Sequence, residues 1–142
     1  MPASALTCRS VSRAVCAALL LVAAAGASAR DLVPIQTFRG TMPLDAPPLL
    51  QPALTTAAEF AHAWNACKVP GAPPKLDFKQ RIVLVAVQQS SKVSFQRITL
   101  DVNNVKTNVV VAPDMPGYRT CAFAVIDRKH VQSVNGLKLP KP

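Results

Sequence analysis

Arg81–Val87 (RIVLVAV) constrains the fold more than any other stretch: one cation leads six consecutive apolar residues, Ile82 to Val87, and two glutamines end the run. A strand apolar on both faces has to be covered on both, which places it at the centre of a sheet. The run is too short for an ordinary helix, and four of its six residues are β-branched, which favours the strand. Neighbouring segments must then supply the cover.

The first 29 residues have the pattern of a secretory signal peptide rather than of a folded segment. Arg9 and Arg13 form a basic start, Ala14–Gly26 is apolar, and Ala27-Ser28-Ala29 is an A-x-A cleavage site, so cleavage is expected between Ala29 and Arg30. The apolar stretch is 13 residues long, short of the roughly 20 that a membrane-spanning helix requires. No cysteine stands at the cleavage point, so a lipid anchor is not expected. The reading is a periplasmic or secreted protein with no transmembrane segment in its mature chain.

Removal of residues 1–29 leaves 113 residues, enough for one small domain. Arg9 and Arg13 leave with the signal, which lowers the net charge from +9 to +7. Such a balance admits weak binding to an anionic surface, although the cations are scattered along the sequence. Nucleic acid is not an expected partner: one Trp, one Tyr and five Phe offer little to stack on bases. Cleavage also removes Cys8 and Cys16, and the remaining pair, Cys67 and Cys121, is expected to form a disulfide in an oxidising compartment. A cross-link over such a loop is worth about 4 kcal/mol in the chain-entropy model.

Along the mature chain, residues 30–54 read as an N-terminal strand, Ile35–Gly40 behind Pro34, followed by a proline-rich connector. Residues 55–142 form the main domain. Thr56-Ala57-Ala58-Glu59 is a capping box, and Phe60, Ala63, Trp64 and Cys67 follow on one helical face until Pro70-Gly71 stops it. After the central strand and a polar turn at Gln88–Lys92, Val93–Val102 changes its apolar phase near Gln96-Arg97, which predicts a β-bulge. A turn at Asn103-Asn104, a strand at Val105–Ala112 and a loop at Pro113–Arg119 with a type II turn at Pro116-Gly117 come next. Thr120–Ile126 is a second nearly all-apolar strand, and Val131–Leu139 adds a short one interrupted by Asn135-Gly136. Short connections between these strands predict antiparallel pairing of neighbours. The expected class is α+β, with one N-terminal helix packed on a mainly antiparallel sheet of about five strands.

The succession of Glu59-Phe60 to Trp64, Asp77-Phe78 before Arg81–Val87, Pro113–Gly117, and Thr120–Ile126 followed by Asp127 resembles the C-terminal domain family of the protease-complex accessory subunit PrcB. The resemblance covers about residues 54–139. It implies an exported β-rich domain of a family named for a subunit that associates with a surface protease, and it carries over no catalytic residue.

No P-loop, G-x-G-x-x-G, H-E-x-x-H, G-x-S-x-G or C-x-x-C motif is present. His62 and His130 with the two cysteines do not have the spacing of a zinc site, and no metal or cofactor is expected. Glu59 and His62 read as a cap acceptor and a surface residue. The best binding candidate is the loop holding Met115, Tyr118 and Arg119, residue types enriched at interfaces, stiffened by Pro113 and Pro116. The expected function is non-enzymatic: an accessory domain for an unknown protein partner, a protease or other envelope component. The alternatives are a small exported hydrolase with an unrecognised carboxylate site and a basic module for anionic lipid or glycan.

Overall fold

A computed structural model describes residues 28–142, so the signal-peptide reading lies, apart from its cleavage point, outside the described residues. The elements in chain order are β1 (Arg30–Asp31), β2 (Gln36–Pro43), β3 (Ala53–Leu54), α1 (Ala57–Ala66), β4 (Arg81–Gln88), β5 (Val93–Asp101), β6 (Asn104–Val111), β7 (Tyr118–Asp127), β8 (Ser133–Val134) and β9 (Leu137–Lys138). The class is α+β, but the helix is not N-terminal: three strands precede it. The strands also form two sheets instead of one, a four-stranded sheet in the order β2-β7-β4-β3 and a five-stranded sheet in the order β1-β5-β6-β8-β9.

The two-sided burial of the central strands explains the architecture. Val83 and Val85 of β4 share a core with Cys121, Phe123 and Val125 of β7, roofed by Phe60, Ala63 and Trp64 of α1. Ile82 and Leu84, with Ala124 and Ile126, point the other way and meet Ile98, Leu100, Val105 and Val134 of the second sheet. The period of two along each strand thus feeds both cores from one pair of strands. The result is three layers: helix, four-stranded sheet, five-stranded sheet.

Neighbouring strands in sequence do not all pair. β4 is hydrogen-bonded to β7 and β3, and β5 to β6 and β1. The turn after β4 and the loop before β7 therefore carry the chain from one sheet to the other, because β5 and β6 are needed as cover for the second face of β4. The bulge stands where the phase change predicts it, with a register shift between Phe95 and Arg97. The β5–β6 turn is centred one residue earlier than expected, at Val102 and Asn103, and Val102 adopts a φ of 57°. Asn135 and Gly136, at φ 48° and 84°, turn β8 into β9 rather than interrupting a strand. Gly117 does not take positive φ, so Pro116-Gly117 is not a type II turn.

The helix is capped as its sequence implies. Glu59 N–H donates to Thr56 Oγ1 (3.2 Å), and the Glu59 carboxylate accepts from Thr55 N (2.9 Å) and Thr56 N (3.1 Å). Those bonds engage Glu59 in the cap and leave no pairing with His62. Trp64 stacks edge-on against Phe38 and Phe60, with centroids 4.9 and 5.4 Å away, and its indole N–H donates to Gly71 O at 2.8 Å. The Cys67–Cys121 disulfide, with a Cα separation of 6.1 Å, ties the end of α1 to the middle of β7. It joins both thiols to each other.

Gly40 of β2 lies opposite Cys121, and a Cβ built on it falls 2.0 Å from the Cys67 carbonyl oxygen. The chain after the helix can approach β2 only because this position has no side chain. Gly40→Ala is therefore expected to destabilise the fold by about 1–3 kcal/mol or more, measured by chemical denaturation; an unchanged midpoint would show that the segment around Cys67 moves freely. Val102 is β-branched, 64% exposed and in the left-handed region, a conformation that glycine adopts without strain. Val102→Gly should stabilise the protein by about 1 kcal/mol, and a loss of stability would remove strain as the description of this turn.

Candidate functional site

The loop of residues 113–117 folds against the turn of residues 89–92 at the end of the molecule where β4 stops and β7 starts. The node is Ser90, 1% exposed. Its Oγ lies 3.0 Å from the carbonyl oxygens of Lys92 and Ala112 and 3.2 Å from Asp114 Oδ1, and it accepts from Lys92 N at 3.2 Å. Thr120 Oγ1 donates to the Ser90 carbonyl, Ser91 N–H donates to Asp114 Oδ1 at 3.0 Å, and Gln89 Nε2 donates to Pro116 O at 2.9 Å. The two crossings between sheets are thus pinned to each other by side chains. A hydroxyl so buried is closed to a substrate, and its role here is positional.

The structure separates the three residues singled out from the sequence. Met115 projects from the pinned loop, 79% exposed. Tyr118 is the first residue of β7, paired with Pro43 and 38% exposed; it stands on the same face of the strand as Thr120, the face that looks toward the second sheet. Arg119 turns to the opposite face, where its guanidinium donates to the Ala46 carbonyl at 3.0 Å and holds the proline-rich connector. Met115 and Tyr118 remain available for contact, whereas Arg119 is a structural clamp.

Beside this loop runs a feature that the sequence does not announce. β6 is bonded along its length to β5, but β8 covers its other side only at Asn104 and Val105. On that outer side Asn135 N–H donates to Val105 O (2.7 Å), and Thr107 N–H donates to Asn135 Oδ1 (3.0 Å). Alternation of the backbone then directs the N–H and C=O groups of Val109 and Val111 outward as well. Among the described residues nothing bonds them there. Val110 and Val111 are 42% and 45% exposed, and the strand runs directly into the loop that presents Met115. The open strand edge thus carries an exposed valine on each face and leads into the loop that presents Met115. Its signal in the sequence is indirect: β8 and β9 are too short to cover a strand of eight residues.

Asp114 supplies the electrostatic control of this end. Hydrogen bonds from Ser91, side chain and backbone, and from Ser90 hold its carboxyl below the ordinary aspartate range. A depressed carboxyl contributes its stabilisation above the ordinary range and loses it as pH falls through and below that range. Acidification is expected to release the loop: backbone resonances of Ser90, Ser91 and Met115 should shift together with the Asp114 titration, and Asp114→Asn should abolish that transition. Resonances that titrate identically in the variant would assign the effect to another group.

No described helix is long and apolar enough to cross a membrane, and the described residues hold no cluster of three or more His, Cys, Asp or Glu side chains with metal-binding geometry. Comparison with protein-family models, with curated proteins and with solved structures finds no match.

Proposed function

We propose that this is an exported, non-enzymatic accessory domain that binds an extended segment of a partner protein along the outer edge of β6, next to Met115. The observation that carries the reading is the unpaired outward backbone of Val109 and Val111 beside exposed Val110, Val111 and Met115. An unpaired edge offers a partner strand its main-chain hydrogen bonds, and flanking apolar side chains supply selectivity. The pinned loop keeps Met115 in place before binding, which reduces the ordering cost of association.

Export is supported by the signal-like residues 1–29, by the Cys67–Cys121 disulfide, and by the position of the expected cleavage. β1 starts at Arg30, which pairs with Leu100, so cutting after Ala29 leaves the strand intact. The partner class, a protease or another component of an envelope complex, comes from the resemblance to the PrcB C-terminal domain family.

The test is Val109→Pro, which removes an outward donor that no described residue uses and leaves the β5 side of the ladder bonded. Losing that bond, worth about 1 kcal/mol, should lower partner capture from envelope extract about fivefold, with the melting temperature nearly unchanged. Met115→Ala should lower the same capture by a smaller factor. A partner retained equally by wild type and Val109→Pro would exclude strand addition at β6.

A further inference from the structure

β7 runs for ten residues, so its far end lies roughly 30 Å from the Met115 loop. The structure gathers there cations that are dispersed in the sequence. Arg128 follows directly on β7 and is only 7% exposed. Its guanidinium donates to two main-chain oxygens, Phe78 O at 3.0 Å and Pro140 O. The ion pairs among the described residues join Arg81 to Asp127, Arg97 to Asp31 and Lys106 to Asp101; none includes Arg128. The nearby carboxylates are occupied elsewhere: Asp127 by Arg81 and the Lys129 N–H, Asp77 by the Lys79 N–H. A cation withdrawn from water in this way costs free energy unless an opposite charge compensates it.

Arg128 also retains unused donors. Its Nε bonds to no described residue. Arg128 also lines a cavity of about 510 Å³, together with Lys79, Arg81, Lys129, Asp127 and Pro142. Among its lining side chains four cations stand against the single carboxylate of Asp127, which is itself paired with Arg81.

We infer that this cavity binds a phosphate ester carried on a small polar body such as glycerol or a sugar. With its two terminal nitrogens engaged by Phe78 O and Pro140 O, the Arg128 guanidinium has Nε and its remaining N–H groups to offer a phosphate oxygen. Lys79, Arg81 and Lys129 add positive charge to the same lining. The volume falls within the range of small-molecule sites, about 300–1,000 Å³, and exceeds what a bare phosphate fills. The same chemistry is offered by a soluble phosphate ester and by the headgroup of an anionic phospholipid. This site shares no residue with the β6 edge, and its failure would leave the protein-binding reading untouched.

The experiment is an NMR titration of the mature protein with glycerol 3-phosphate, paired with sedimentation on vesicles of phosphatidylglycerol and of phosphatidylcholine. Saturable shifts at Lys79–Arg81 and Asp127–Val131 are expected for the soluble ester. Binding to phosphatidylglycerol but not phosphatidylcholine identifies a lipid headgroup as a source of the phosphate. Lys79→Ala/Lys129→Ala, both in the cavity lining, should weaken binding at least tenfold, and the charge-matched control Lys75→Ala/Lys92→Ala less than twofold. Arg128→Lys, which keeps the charge and loses the guanidinium, should weaken the soluble ester while the fold is monitored by its melting curve. The inference is overturned if neither probe binds saturably, or if the control variant loses as much as the lining variant.

Discussion

The fold depends on the double-sided burial of β4 and β7. Eight residue pairs run from Arg81↔Asp127 to Gln88↔Thr120, and along most of that ladder neither strand has a face to give to water. Two layers must therefore be added, and the chain supplies them from different regions: α1 on one side, the β5–β6 hairpin and the C-terminal strands on the other. The disulfide reinforces only the helical side. Cys121 belongs to the same face as Phe123 and Val125, so the cross-link fixes the roof, while the second sheet is held by apolar contacts and by the side-chain bonds around Ser90.

How much of this was legible follows from the range of each signal. The central strands, the capping box, the bulge and the cysteine pair are written in residues close together or in a compartment rule, and each has its counterpart in the structure. What could not be read locally is where a strand goes after a turn. Gln88–Lys92 has the composition of a hairpin turn, yet it carries β5 to the other sheet, because the second face of β4 demands cover and no local residue encodes that demand. The final stretch has the same character. Asn135-Gly136 is a hairpin signal with only two residues of strand on either side, and it makes sense only once Val134 is seen buried against Val105.

The candidate site divides along the same line. Met115 was legible as an interface residue because loop chemistry is local. Tyr118 and Arg119 were grouped with it by proximity in sequence, but a strand sends successive side chains to opposite faces, and Arg119 ended on the connector. The cations illustrate the reverse case. Lys79 and Arg81 lie almost fifty residues before Arg128 and Lys129, and only the pairing of β4 with β7 makes them neighbours.

The outer edge of β6 differs from the margins of the two sheets. Exposed strand edges invite unwanted pairing, and proteins shorten, charge or interrupt them. Here β1, β3 and β9, at the margins of the sheets, are two residues long. β2, the fourth margin, follows Pro34, carries Arg39 and ends on Pro43. Asn108–Val111 has none of these devices among the described residues: no charge, no proline, three successive valines and an unbonded outer side. An edge without these devices is available for a strand from elsewhere, and the side-chain network that fixes the loop of Met115 beside it is the means by which that opening acquires a preference.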